Sequence, residues 1–128
     1  LVLPAVRMKA RRAHRVPVTG PLAVHLSSLP RVAGAADLVH PGQSRAAMSD
    51  MTISKAMRGA GLGQYTPHGW RSTFSDWANS EGWNRDLIED QLAHQIGGSV
   101  ERAYRRSDYL DRRRPLMDAW GKYLVGAS

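Results

Sequence analysis

The stretch from His68 to Tyr104 reads HGWRSTFSDWANSEGWNRDLIEDQLAHQIGGSVERAY, and the rest of the chain is arranged around it. His68 and Arg71 stand three residues apart, His94 follows a helical segment, and Tyr104 comes ten residues later. Two imidazoles, a guanidinium and a phenol are the groups that hold a phosphodiester while a tyrosine oxygen attacks its phosphorus.

Local signals place these residues on helices. Thr66-Pro67 offers a capping hydroxyl and a proline for a first helical turn, and predicts a helix carrying His68, Arg71, Phe74, Ser75 and Ala78. On that helix His68 and Arg71 share a face. Gly82 breaks it, and Asn84 caps a further helix through Leu87, Ile88, Gln91 and Leu92 to His94. Gly97-Gly98 then makes a turn, and Ser99 caps a short helix bearing Tyr104. A last helix follows, with Leu116, Met117, Trp120, Tyr123 and Leu124 as its apolar stripe and Pro115 near its start or kinking it.

Upstream, Leu1–Val6 and His14–Val18 read as two strands of a hairpin whose charged turn holds Lys9. Thr19–Leu29 reads as a helix capped by Thr19, with Leu22, His25, Leu26 and Leu29 at helical spacing, and Pro30 stops it. Ala36–Val39 suits a short strand and His40–Ala47 a polar loop. Ser49 caps a helix to Arg58 with Met51, Ile53 and Met57 available for its inner face. The expected fold class is mainly α with a small β-hairpin, in one domain, since 128 residues leave no room for two.

Eighteen Lys and Arg against eleven Asp and Glu give a net charge of +7 and a pI near 10.6, which favours a polyanionic partner. The distribution of the charge is more specific. Arg7, Lys9, Arg11, Arg12 and Arg15 form one acid-free cluster, and from Arg102 to Arg114 six arginines stand against Asp108 and Asp111. Between Gly61 and Ser99, Arg71 and Arg85 face Asp76, Glu81, Asp86, Glu89 and Asp90. Arg71 is thus a cation in an acidic segment, beside His68, which points to a specific task. The chain has no cysteine, no apolar run of membrane-spanning length and no signal-peptide pattern, as an intracellular, cytoplasmic protein would show.

The chemistry sets three requirements. A phenol ionises only near pH 10 (about that of free tyrosine), so its proton must be taken as it attacks. The non-bridging oxygens gather charge as phosphorus becomes five-coordinate, so donors must already point at them. The leaving 5′ oxygen needs a proton, a task for lysine or histidine. His68, Arg71, His94 and Lys9 are the residue types required. Each has a plainer reading: a His-x-x-Arg pair is commonly a surface pair, and a tyrosine near a helix is commonly packing. His25 and His40 read as structural or surface histidines. No thiolate or HExxH-like spacing supports zinc, and no glycine-rich nucleotide loop is present.

TPHGWRSTFSDW (Thr66–Trp77), LAH (Leu92–His94) and ERAYRRSDYLDRRRPLMDAWGKYL (Glu101–Leu124) together resemble the C-terminal catalytic region of tyrosine recombinases, especially the integrases of satellite phages and genomic islands. RMKARRAHRVPV (Arg7–Val18) resembles the family's segment with the catalytic lysine, and LVHPGQSRAAMSDMTISKAMRGAGL (Leu38–Leu62) the stretch that joins it to the His-x-x-Arg helix. The resemblance implies that Tyr104 is the nucleophile of a 3′-phosphotyrosyl link to double-stranded DNA at attachment sites. Arg71 would clamp the scissile phosphate, His68 would assist phosphate binding and proton transfer, His94 would donate to a non-bridging oxygen, and Lys9 would be the general acid. No metal or nucleotide cofactor is implied, because the covalent link conserves the bond energy. Tyr109 is the rival nucleophile, though its setting in SDYLDRRR matches a packing segment; Tyr65 and Tyr123 read as structural.

The chain departs from that pattern in two respects. The family carries a further arginine well upstream of the lysine, in a TGxRxGE-like helix, and this sequence has no such motif. The family's other DNA-binding domains are not seen either. The expectation is therefore an N-terminally truncated catalytic domain over residues 1–128, weak or inactive alone, from a protein that is a homo-oligomer, a tetramer, on DNA when full length. The competing expectations are a non-catalytic DNA-binding remnant and an unrelated basic RNA-binding protein.

Overall fold

In a computed structural model, residues 1–35, 38–42, 45–94 and 109–126 are described. Strand β1 (Val2–Leu3) pairs antiparallel with β2 (His14–Arg15), Val2 opposite Arg15 and Leu3 opposite His14. The hairpin is the one expected, but its strands are shorter. Pro4 has no N–H to give a ladder and opens a 3-10 turn over Ala5–Arg7, while Pro17 limits the other strand. The connection carries Lys9 and bends at Arg11, whose φ of 50° is left-handed.

Helices α1 (Gly20–Ser28), α2 (Met51–Gly59), α3 (Gly69–Ser80), α4 (Arg85–Gln91) and α5 (Leu110–Leu124) follow among the described residues. The fold is therefore mainly helical with a small antiparallel hairpin, as the sequence implied. No helix among the described residues is long and apolar enough to cross a membrane.

Several local expectations are corrected. Thr19 does not cap α1 with its side chain: its hydroxyl donates to the Met117 carbonyl at 3.4 Å, while its own carbonyl accepts from Ala23 N–H. Of the inner face proposed for α2, Met57 is buried, but Met51 and Ile53 are 56% and 48% exposed. His68 precedes α3 rather than lying on it, and α4 ends at Gln91 rather than at His94. Leu38 and Val39 are not in a strand, while Ala36 and Asp37 lie outside the described residues. So do the Gly97-Gly98 turn and the helix expected to bear Tyr104.

The chain divides into two units. One comprises Leu1–Ala23 with Phe74–Ser128, the other Val24–Thr73. The first holds the core: Phe74 and Ala78 from α3, Leu87 and Ile88 from α4, Leu92 just after it, and Leu116 from α5. Trp77, Trp83, Tyr109, Met117 and Trp120 pack around these. Trp120 meets Phe74 edge-on at 5.4 Å and stacks on Tyr123 at 5.4 Å, arrangements that suit the ring quadrupoles. A Cβ at Gly121 would stand 3.1 Å from Pro21, so glycine lets α5 pass close to the start of α1. In the second unit the buried apolar side chains are Ala35 and Met57.

Candidate active site

Pro115 sits inside α5, yet the residue of consequence there is its near neighbour Arg113, which is fully buried. Its Nη1 donates to Gln91 Oε1 at 2.8 Å and its Nη2 to the Arg15 carbonyl at 2.7 Å. His14 Nε2 lies 3.2 Å from the Gln91 carbonyl. The hairpin, the end of α4 and the body of α5 are thus joined through part-buried hydrogen bonds. Lys9 projects from the hairpin's turn, exposed, among Arg7, Arg11 and Arg12.

His94 owes its position to how α4 stops. Ala93 adopts φ 55°, the left-handed conformation that closes many helices. Ala93 N–H then bonds to the Asp90 carbonyl at 3.2 Å and His94 N–H to the Glu89 carbonyl at 3.0 Å, the paired bonds of a Schellman turn. That geometry folds His94 back over Glu89, so that Nδ1 of the ring meets Glu89 Oε2 at 2.7 Å. The contact on Nδ1 ties the orientation of the imidazole to Glu89.

His68 and Arg71 are held by the start of α3. Thr66 Oγ1 accepts from Gly69 N–H at 3.0 Å, which is the capping role read from the sequence. A Cβ at Gly69 would approach that oxygen to 3.3 Å, so glycine suits the contact. His68 occupies the turn before the helix, its carbonyl accepting Arg71 N–H at 3.0 Å. Both side chains are exposed.

Of the five candidates, the structure therefore describes His68 and Arg71 at the start of α3 in the second unit, joined by a backbone hydrogen bond. Lys9 and His94 belong to the first. Tyr104 lies outside the described residues. Tyr109, the rival nucleophile, is part of the hydrophobic packing, with the Arg112 guanidinium 4.9 Å above its ring. Among the described residues no cluster of three or more His, Cys, Asp or Glu side chains gathers as a metal would need.

Sequence reasoning missed Glu89 and Arg113. The first could have been found from its place five residues before His94, once a left-handed stop at Ala93 is assumed. The second carries no such signal, since it stands as one of three consecutive arginines in a basic cluster.

The profile of the phage integrase family matches residues 2–110. Prophage integrase IntA of Escherichia coli (strain K12) is 40% identical over 129 residues, covering 98% of this chain and 31% of that protein. The integrase of Enterobacteria phage P4 is 34% identical over 124 residues, covering 91% of this chain and 28% of its own. The integrase of Shigella phage Sf6 is 31% identical over 128 residues, with 97% and 33% covered. The chain spans about a third of the length of these relatives. No solved structure matches it.

Proposed function

The chain belongs to the phage integrase family, and on that premise we propose that it cuts and rejoins double-stranded DNA for site-specific recombination, through a 3′-phosphotyrosyl intermediate. The observation that carries this reading is the extent of the family match, which takes in Lys9, His68, Arg71, His94 and Tyr104 alike. In this reading the chain is the C-terminal part of an integrase catalytic domain.

Tyr104 Oη attacks the scissile phosphorus and gives up its proton toward His68. The bond from Oη to phosphorus forms as the bond from phosphorus to the 5′ oxygen breaks, and Lys9 delivers the proton that the leaving oxygen needs. Arg71 and His94 Nε2 point donors at the non-bridging oxygens, where charge develops. Rejoining reverses each transfer: a free 5′ hydroxyl attacks, and Tyr104 leaves. The exposure of Lys9, His68, Arg71 and His94 suits groups that meet a large anionic partner. The packing of Tyr109 favours Tyr104 as the attacking phenol. Arg71 is one arginine where the family resemblance implies two. Loss of a single preorganised donor such as Arg71 commonly slows a reaction of this kind by about 100–1,000-fold.

A randomised library of nicked suicide duplexes tests the proposal, because each cleavage there is trapped as a protein–DNA adduct stable to detergent. Wild-type protein and Tyr109→Phe are expected to form the adduct, and Tyr104→Phe is expected to form none. Adduct kept by Tyr104→Phe but lost by Tyr109→Phe would transfer the nucleophile to Tyr109. Duplex binding without adduct from any of the three would leave a DNA-binding remnant instead of an enzyme.

A further inference from the structure

Arg113 is the one charged side chain that is fully buried among the described residues. A guanidinium taken out of water is strongly disfavoured unless its donors are met, and an apolar side chain of similar volume often serves stability as well or better. Packing alone therefore gives little reason for arginine at this place. Its contacts give a better one. Two of its donors reach two different elements: Gln91 Oε1 at the last residue of α4, and the backbone carbonyl of Arg15 in β2. A rigid planar fork bonding in two directions fixes the spacing of its two acceptors, which the point charge of a lysine does not. The contact from His14 to the Gln91 carbonyl ties the same strand to the same residue.

β2 is the return strand of the hairpin, and the turn of that hairpin carries Lys9. The hairpin is only two residues wide on each strand, too small to be stable by itself. Its orientation must come from what grips it, and Arg113 grips it by the backbone. We infer that Arg113 is a positioning residue for proton delivery: it locks the hairpin onto α4 and α5 so that the Lys9 ammonium reaches the leaving 5′ oxygen. This rests on the proposed roles of Tyr104 and Lys9.

The test separates proton delivery from everything else by changing the leaving atom. Two suicide duplexes recovered from the library are compared, one with the natural 5′ oxygen at the scissile bond and one with sulfur in its place. An alkoxide leaving without an acid is about as basic as hydroxide and so a very poor leaving group. A thiol ionises near pH 8.5 (about that of free cysteine), so the sulfur leaves without a proton from Lys9. Arg113→Lys is expected to form adduct on the order of 100-fold more slowly than wild type with oxygen. With sulfur it should return to within about threefold of wild type, and Lys9→Ala should show the same pattern. Gln91→Met, a milder change that removes one acceptor, should follow it in smaller degree and decides the matter if Arg113→Lys does not fold.

Equal slowing on both duplexes would make Arg113 a structural residue and overturn the inference, as would a wild-type rate for Arg113→Lys with oxygen. A Lys9→Ala protein unimpaired with oxygen would overturn it by removing the acid that Arg113 positions. No adduct from wild type on either duplex would overturn the cleavage reading itself, and this inference with it.

Discussion

Glu89 holds His94 twice, through its carbonyl and through its carboxylate, and both bonds arise from the left-handed turn at Ala93. The side chains are 49% and 24% exposed for His94 and Glu89, so the ion pair adds little to stability, within about 1 kcal/mol for pairs of this kind. Its worth lies in orientation. Where a carboxylate orients a histidine bound to a metal, its loss lowers function about 10–100-fold. Glu89→Ala is accordingly expected to slow adduct formation by roughly tenfold or more, by the same comparison, while moving the thermal midpoint little. A large fall in melting temperature with an unchanged rate would show the pair to be structural instead. Lys9, His68, Arg71 and His94 stand out in the sequence as candidates because their residue types and order are distinctive. Glu89 does not, since its role exists only once the chain has turned back on itself.

Helix boundaries show where local sequence is informative. Asn84 caps α4 as read, its side-chain oxygen accepting Asp86 N–H at 2.9 Å, and Gly82 ends α3 at φ 75° with Trp83 N–H bonded to the Ala78 carbonyl. Both residues announce a stop or start by type. Ala93 does not, so the sequence pattern carries α4 on to His94, three residues beyond its end at Gln91. The same asymmetry separates two predictions. Asn84→Ala removes a cap and should lower unfolding free energy by about 1 kcal/mol in a urea titration. Ala93→Gly relieves a Cβ in the left-handed region and should raise it by a similar amount, about 1 kcal/mol. It should also leave the cleavage rate near that of wild type if the turn geometry is retained. A destabilised Ala93→Gly protein would mean that the turn is held by forces other than its end geometry. α2 errs in another way: helical spacing offered three apolar residues, but only tertiary neighbours determine burial, and just Met57 has enough of them.

At the scale of the molecule, apolar burial and charge are unevenly shared. The core cluster belongs to the first unit, and Val24–Thr73, with Ala35 and Met57 buried, has little to resist local opening. Its amides are expected to exchange with deuterium well before those of α4 and α5, which uniform protection across the chain would refute. The net charge of +7 reads simply as affinity for polyanions, but burial divides it into two kinds. Arg7, Lys9, Arg11, Arg12 and Arg15 are exposed around the hairpin, as are Arg112 and Arg114, whereas Arg113 is withdrawn into polar contacts within the fold. Composition counts all of these alike. A titration of duplex binding against salt tells them apart, because each phosphate neutralised contributes about −0.9 to the slope of log affinity against log salt concentration. Replacing Arg11 and Arg12 by alanine should flatten that slope by up to about 1.8, at 0.9 per phosphate lost. Gln91→Met, which disturbs the Arg113 network without touching an exposed cation, should leave the slope unchanged although it slows cleavage. If that variant flattened the slope as much as the loss of surface arginines does, the buried network would be shaping the DNA contact as a whole rather than the delivery of one proton.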